Sequence, residues 1–262
     1  MKQPESQQPA NVATEHAPLL RASAISCRFG GLVAVDTVSI DLQRGALHAV
    51  IGTNGAGKST LVNILSGELA ASSGRIEMSG ADITGWSQPR RARAGLGRSY
   101  QRNTIYPGFT VLENCRLAAQ AALQKPWHWW QSASACRSSV DAALAAADRS
   151  GLSDLLDRHA GLLSHGQKRQ LEIAMCLATA PEVLLLDEPL AGMGAEETDR
   201  MLALLNELKD GHAVLLVEHD MDAVFRVADR ITVMVNGAVI ACDTPDAVRN
   251  DAAVQAAYLG HD

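Results

Sequence analysis

The sequence predicts an α/β fold organised around a mainly parallel sheet, and two features carry this prediction. The first is a pair of continuous apolar runs, EVLLLDE at 182–188 and HAVLLVEHD at 212–220, whose lack of polar alternation indicates strands buried on both faces. The second is the glycine-rich loop GTNGAGKST at 52–60, which joins the apolar strand ALHAVIG to a segment with helical spacing. A strand, a loop and a helix in this order are typical of α/β domains.

The other segments predict smaller elements around this sheet. Residues 19–50 contain short strands with rough alternation, and RITVMVNGAVIACDT reads as a hairpin that turns at Asn236 and Gly237. Residues 88–161 are rich in Ala and Arg with helical spacing, which indicates a helical insertion. Thr244, followed by a proline, predicts the capped start of another helix.

Composition narrows the class of protein. A length of 262 residues suits one α/β domain with a small insertion, or two modest subdomains. The formal net charge of −6 argues against non-specific nucleic-acid binding. The five cysteines lack metal or redox spacing, so we expect reduced thiols in a cytosolic protein. No apolar run approaches the ~18 residues of a membrane helix, and residues 1–18 have the Gln, Pro and Ser content of a disordered leader.

The loop GTNGAGKST matches the pattern G-x-x-x-x-G-K-[ST] between a strand and a helix. Its glycines let backbone N–H groups turn toward one concavity that suits phosphate oxygens, and the following helix adds its positive end. Lys58 is predicted to reach the β- and γ-phosphates of a nucleotide, and the Ser59 hydroxyl to ligate Mg²⁺.

Two acids, Asp187 and Glu188, end the apolar strand at 182–188. Ligands of open α/β sheets bind beyond the carboxyl ends of the strands, so both acids are placed near the phosphates. Because neighbouring strand residues point to opposite sides, we expect two different roles. Asp187 would hold Mg²⁺ through a water, and Glu188 would orient and polarise the attacking water.

A second helix start, LSHGQ, carries Ser164 and Gln167 at the spacing of a capping box. One interpretation is a plain cap that satisfies unpaired N–H groups. The other is an anion site at the positive end of a helix, formed by Ser164, Gly166 and Gln167. Lys58 and its loop already enclose a triphosphate from one side, and the LSHGQ helix tip lies at the far end of the helical insertion. Such a site is therefore expected to contact the phosphates bound to a second copy of the chain.

The segment LSHGQKRQ resembles the signature motif L-S-G-G-Q of ATP-binding cassette (ABC) proteins, with His165 in place of the middle glycine. Other motifs of that family follow the same order over about residues 19–260. Gln101 in GRSYQ looks like the Q-loop glutamine, and His219 in VEHD looks like the switch histidine. Phe29 in CRFGG stands where the family places an aromatic ring under adenine. One departure is Gly194, which takes the place of the usual acidic or amide residue in the D-loop DEPLAGMG.

The resemblance implies an α/β P-loop NTPase of the ABC ATPase type. Its expected parts are a mainly parallel core sheet, a small antiparallel β-subdomain, a helical subdomain over about 102–162 and a C-terminal extension over about 243–262, all within a single domain at 19–262. It also implies a head-to-tail dimer with two ATP molecules at the interface, and Mg²⁺ as cofactor.

The resemblance assigns roles to individual residues. Those expected to contact ATP from the same chain are Phe29, Asn54, Gly55, Ala56, Gly57, Lys58, Ser59 and Thr60. Those expected to contact it from the partner chain are Ser164, Gly166 and Gln167. The expected catalytic residues are Glu188, His219 and Gln101, and the expected Mg²⁺ ligands are Ser59, Gln101 and Asp187.

RFGGLVAVD, VEHDMDAVF and the terminal AAYLG resemble the ATPases of branched-chain amino-acid and urea uptake systems. This implies an ATP-hydrolysing importer subunit that forms a homodimer, or a heterodimer with a second ABC ATPase. Its expected partners are two membrane permeases and, indirectly, a periplasmic solute-binding protein, without nucleic acid. Its expected location is cytoplasmic, on the inner face of the cell membrane, with the segment after Gln101 facing the permeases. A urea or amide importer, a soluble non-transport ABC ATPase and a metabolic P-loop kinase remain as alternatives.

Two further clusters have open interpretations. The aromatic cluster at 127–130 is expected to cover the insertion's own small core, with contact to a permease or lipid as the alternative. A basic run is expected to form a solvated helix face, with attraction to anionic lipid as the alternative. The run consists of Arg90, Arg91, Arg93, Arg98 and Arg102.

Overall fold

The computed structural model of the chain describes residues 17–100, 104–123 and 137–259. Some of the sequence predictions therefore concern residues outside the described ones. These are residues 1–16 of the leader, Gln101, Arg102, and the cluster of Trp127, Trp129 and Trp130.

The described residues begin with three strands, and helices and strands are interspersed from α1 onward. The strands are β1 (Leu20–Phe29), β2 (Leu32–Leu42), β3 (Ala46–Gly52), β4 (Ser73–Met78), β5 (Ala81–Asp82), β6 (Leu96–Arg98), β7 (Val183–Asp187), β8 (Ala213–Val217), β9 (Arg230–Val235) and β10 (Ala238–Asp243). The helices are α1 (Lys58–Ser66), α2 (Gln88–Arg93), α3 (Val111–Leu123), α4 (Arg137–Arg149), α5 (His165–Leu177), α6 (Ala195–Lys209), α7 (Met221–Val227), α8 (Pro245–Arg249) and α9 (Ala252–Leu259). None of the helices in the described ranges has both the length and the apolar character needed to cross a membrane.

The strands form two sheets. A six-stranded sheet has the order β10-β9-β3-β8-β7-β6, in which β10 alone runs antiparallel to its neighbour. A four-stranded antiparallel sheet has the order β2-β1-β4-β5. The predicted α/β class, with a mainly parallel core sheet and a small antiparallel sheet, is confirmed.

The central strands divide their side chains between two apolar cores. In β3, Leu47, Ala49 and Ile51 belong to one core and Val50 belongs to the other. The first core includes residues of α3 to α7, and the second includes α1 and the antiparallel sheet. Burial on both faces explains why these strands read as continuous apolar runs.

The prediction of a helical insertion over residues 88–161 is wrong at one point. Residues Leu96–Arg98 form β6, which pairs in parallel with β7 at the edge of the large sheet. Three residues are too few to show a strand period, so the flanking helical pattern hid this strand. Helices α3 and α4 follow, and both pack against α5.

The C-terminal hairpin turns at Asn236 and Gly237, as predicted. Their φ angles are 49° and 84°, and positive φ at both central residues is what a type I′ turn requires. Helix α8 begins at Pro245 with Thr244 as its N-cap residue. The predicted cap is wrong in one respect, because the Thr244 side chain makes no capping hydrogen bond.

The basic run does not form a uniformly solvated face, because Arg91 is buried and only 7% of the Arg98 side chain is exposed. The Arg91 guanidinium donates hydrogen bonds to the carbonyl oxygens of Ile64 and Leu65, both at 2.8 Å, and of Thr84 at 2.9 Å. Two of these carbonyls belong to the last turn of α1, where backbone oxygens lack partners within the helix. A cation at this position also stabilises the negative end of the helix.

Candidate functional site

The glycine-rich loop connects β3 to α1 and ends at Gly57, the N-cap residue of that helix. Gly57 has φ +98°, and a Cβ added there would lie 2.3 Å from the carbonyl oxygen of Ala34, so a side chain has no room. Because glycine brings no capping group, the first N–H groups of α1 are left for another acceptor. A phosphate is the ligand for which a helix N-terminus of this kind is suited.

A cavity of about 430 Å³ lies over this loop. It brings together three predicted elements: the adenine-contacting Phe29, the phosphate loop and Glu188. The lining residues are Phe29, Leu32, Val33, Ala34, Asn54, Gly55, Ala56, Gly57, Lys58, Ser59, Thr60, Glu188 and Asn236. The Phe29 side chain is 51% exposed, which leaves its ring available for stacking on an aromatic base.

Lys58 folds back over the loop that precedes it. Its Nζ donates hydrogen bonds to the carbonyl oxygens of Gly52 at 2.7 Å and Thr53 at 3.1 Å. Burial lowers the pKa of the ammonium, while the carboxylates of Glu188 and Asp187 act in the opposite direction. The charged group is therefore held at the loop, close to both acids.

Asp187 is the buried acid of the pair, with 2% of its surface exposed. Burial raises the pKa of its carboxyl group, and the Arg98 guanidinium, 4.0 Å from Oδ2, opposes that shift. Its Oδ1 is buried and has no hydrogen-bond partner among the described residues. An orphaned carboxylate oxygen beside a phosphate site fits a role toward Mg²⁺, which prefers oxygen ligands and keeps several waters.

Glu188 has a left-handed backbone, with φ +50°, which is uncommon for a residue with a side chain. Its N–H donates to the carbonyl oxygen of Val217 at 2.9 Å, so the position is fixed by the neighbouring strand. Because β7 ends at Asp187, this backbone turn, and not strand alternation alone, separates the two carboxylates. Strained conformations of this kind concentrate at functional sites.

Arg98 links the edge of the sheet to the helix that follows the phosphate loop. Its buried guanidinium donates hydrogen bonds to Asn63 Oδ1 and Ser66 Oγ, both at 2.6 Å, and to Glu68 Oε2 at 2.8 Å. Its carbon Cζ lies 4.7 Å from the centre of the Tyr100 ring. Sequence reasoning missed this role, since the three hydrogen-bond partners of Arg98 are 30 to 35 residues away in the chain.

The capping box predicted at LSHGQ is confirmed at the start of α5. The Ser164 Oγ accepts the backbone N–H of Gln167 at 3.2 Å, and Gln167 Oε1 accepts that of Ser164 at 3.0 Å. The Ser164 hydroxyl also donates to Oε1 of Glu197, at 3.0 Å. A carboxylate therefore already lies at this helix tip, which the sequence did not predict.

Ser164, Gly166 and Gln167 line a second cavity, of about 160 Å³, which shares no residue with the first. His219 lines neither of these two cavities; it follows β8, with its side chain 60% exposed. Gln101 lies outside the described residues. The structure thus gathers Phe29, the loop and Glu188 in one place and the signature residues in another.

Comparison with known proteins identifies the family. The family model described as ABC transporter matches residues 35–191, more than half of the chain. The chain belongs to the ABC transporter family. A second family model, described as branched-chain amino acid ATP-binding cassette transporter, matches residues 238–262 of this ABC cassette.

Curated relatives cover nearly the whole ABC cassette. The high-affinity branched-chain amino acid transport ATP-binding protein BraF of Pseudomonas aeruginosa is 37% identical over 250 residues, which cover 93% of this chain and 98% of the relative. LivG of Salmonella typhimurium, which has the same description, is 38% identical with the same coverage. Among solved structures, the ADP conformation of MJ1267, an ATP-binding cassette of an ABC transporter, matches with a TM-score of 0.84 and 32% identity. That match covers 94% of this chain and all of the other.

Proposed function

We propose that this ABC ATPase is the ATP-hydrolysing subunit of an importer for branched-chain amino acids. The observation that carries the proposal is the match of residues 238–262 to the family model of branched-chain amino acid cassettes. The described part of this stretch, residues 238–259, contains β10, α8 and α9, and both helices pack on β10. The relatives described above favour this solute class over urea or amides, and over a soluble non-transport ATPase.

The cavity over the phosphate loop is the place for ATP. The adenine stacks on the exposed Phe29, and Asn54 to Thr60 surround the phosphates with backbone N–H groups and the Lys58 ammonium. Three residues, Ser59, Gln101 and Asp187, would hold Mg²⁺. When bound, this ion neutralises charge on the phosphates. The support for this arrangement is the shared cavity lining and the orphaned Asp187 Oδ1.

Glu188 and His219 act on the attacking water and the γ-phosphate. Glu188 lines the cavity beside Lys58, where its carboxylate can accept a proton from a water aligned with the γ-phosphate. His219 follows β8, the neighbour of β7 in the sheet, and its imidazole can donate to a γ-phosphate oxygen. Both assignments rest on the ABC resemblance together with this placement.

The signature residues serve the ATP of a partner subunit in a head-to-tail dimer. Within one chain, the cavity lined by Ser164 shares no residue with the cavity over the phosphate loop. One chain therefore surrounds its own phosphates from one side only, and a second subunit supplies the other. The partner is a second copy of this chain or a different ABC ATPase.

The membrane partners of the ATPase are two permeases, at whose cytoplasmic face it works, and a periplasmic solute-binding protein is its partner only indirectly, through those permeases. The segment that follows Gln101 carries Tyr106 and Phe109, both exposed, with ring centres 5.5 Å apart. An exposed aromatic pair is suited to contact with another protein. This supports the prediction that the segment faces the permeases.

Uptake of labelled leucine tests the proposed function. We expect cells that lack this chain to lose high-affinity leucine uptake, and the native sequence to restore it. Complementation with Glu188→Gln is the matched control, because that variant keeps the fold and the docking surface without hydrolysis. Unchanged leucine uptake with a loss of urea uptake would favour the urea alternative instead.

Glu197 is expected to oppose ATP-driven pairing of subunits. Its carboxylate and a partner's γ-phosphate would compete for the same Ser164 hydroxyl, and two anions at one helix tip repel each other. Glu197→Gln keeps an acceptor for the hydroxyl and removes the charge. We expect it to lower the ATP concentration for half-maximal dimer formation by about two- to fivefold, the scale of one charge at a helix terminus.

Light scattering during size-exclusion chromatography, in a Glu188→Gln background, measures this dimer. Glu196→Gln is the matched control, since Glu196 has the same charge in the same turn but is 93% exposed and lies 3.9 Å from Arg200. Equal shifts for the two variants would show a general charge effect and contradict a local role of Glu197.

A further inference from the structure

The D-loop, residues 189–194, connects Glu188 to α6, the helix whose Glu197 accepts a hydrogen bond from the signature serine, Ser164. It begins after Glu188 and ends at Gly194, the N-cap residue of α6. Two of its six residues, Gly192 and Gly194, are glycines, and Gly192 has φ +75°. Glycine has more backbone freedom than other residues, so a loop that contains glycines loses more conformational entropy when it is fixed in one conformation. Gly194 also makes no side-chain cap at the start of α6.

One side chain that holds this loop is Glu218, which is fully buried. Its Oε1 accepts the backbone N–H of Leu190 at 2.8 Å. Its Oε2 accepts the backbone N–H of His219 at 3.2 Å and lies 3.7 Å from His219 Nδ1. A single carboxylate therefore joins the D-loop to the switch histidine.

Position 218 requires a carboxylate rather than an amide. A carboxylate offers acceptors on both oxygens, and here both oxygens receive backbone N–H groups. A glutamine would satisfy one of these donors and turn its own NH₂ group toward the other. A buried donor left without an acceptor destabilises the local structure.

The second side chain is His165, the residue that replaces the middle glycine of the signature motif. Its Nε2–H donates a hydrogen bond to the carbonyl oxygen of Ala191 at 2.9 Å. A Cβ on Gly192 would lie 3.2 Å from this nitrogen, so the glycine allows the ring to approach the loop. Ser164, the signature serine, is the adjacent residue.

We propose that Glu218 and His165 are positioning residues for ATP hydrolysis, which hold the D-loop between the switch histidine and the signature helix. The contacts form an unbroken path from His219 through Glu218, Leu190 and Ala191 to His165. Glu218 and His165 both form hydrogen bonds to backbone groups of the loop, and these bonds restrict the backbone freedom that its glycines allow. This inference rests on the proposed roles of Glu188, His219 and Ser164.

The exposed His165 provides the cleaner test, because its replacement leaves the buried core intact. We expect His165→Leu to lower kcat of the assembled ATPase by about fivefold or more, with Kd for ATP of the single chain changed less than about twofold. His165→Gln, whose amide N–H can reach Ala191, should recover most of the rate. The control is His159→Leu, since His159 also bonds a backbone carbonyl, that of Gly108 at 3.0 Å, but away from the D-loop.

Glu218→Gln should lower kcat by about tenfold, and in combination with His165→Leu the two losses should be less than multiplicative because both act through one loop. A normal kcat for His165→Leu, equal losses of kcat and ATP affinity, or no recovery with His165→Gln would overturn the inference. Fully multiplicative losses of kcat in the double variant would show that Glu218 and His165 do not act through the same loop. Glu188→Gln is measured in parallel: continued hydrolysis by that variant would refute the proposed catalytic site, whatever the His165 variants do.

Discussion

Replacement of Glu188 by glutamine is expected to reduce ATP turnover by about 100-fold or more, the scale of a lost general base. ATP affinity should change little, because the amide has the same shape and Lys58 with its loop still contacts the phosphates. The backbone turn at φ +50° and the hydrogen bond to Val217 do not depend on the side chain, so the fold should be kept. Steady-state phosphate release and fluorescent-nucleotide binding measure the two effects separately.

Glu182→Gln is the matched control for this experiment. Glu182 directly precedes β7, at the other end of the strand that leads to Glu188, and pairs with Arg44 at the surface, at 3.6 Å. Its replacement should leave turnover unchanged. Normal turnover by the Glu188 variant would show that another group activates the water.

Lys58→Met and Ser164→Arg should each abolish hydrolysis on their own, and a mixture of the two variants should recover part of it. Lys58→Met removes the phosphate-binding ammonium, and an arginine at 164 would pair with Glu197 and fill the helix tip. In a mixed dimer one composite site joins an intact loop to an intact signature helix, while the other carries both defects. Recovery on mixing is therefore specific to sites shared between chains.

A mixture of Lys209→Met with Ser164→Arg is the control for simple dilution of one variant by another. Lys209, at the end of α6, bonds Asp229, so its replacement leaves the phosphate loop intact. That mixture should be active through its Lys209 member alone, before any exchange of subunits. Failure of the Lys58 and Ser164 mixture to recover activity would contradict pairing between two copies of this chain. It would leave a second ABC ATPase as the partner.

The sequence predicted those parts of the fold and site whose cause is local. The apolar runs of β7 and β8 and the loop before α1 depend on neighbouring residues, and the structure has them where the pattern places them. The capping box of Ser164 and Gln167 and the turn at Asn236 follow from short spacing rules, and both are confirmed.

What the sequence did not predict depends on contacts between distant segments. His165 was given no role, because its partner Ala191 is 26 residues away. Arg98 was expected in water, yet it bonds to α1 and approaches Asp187. Glu218 received no prediction, although its two N–H partners make it part of the D-loop's support. Hydropathy periods report the side of an element that is buried, not which polar groups meet there.

The buried Arg91 gives the helix behind the phosphate loop a permanent counter-charge at one end. The phosphates of ATP would bring negative charge to the opposite, N-terminal end of α1, so both ends of the helix would face a charge of opposite sign in the nucleotide-bound protein. Because Arg91 bonds the carbonyl oxygens of Ile64 and Leu65, we expect the last turn of α1 to stay helical when the nucleotide leaves.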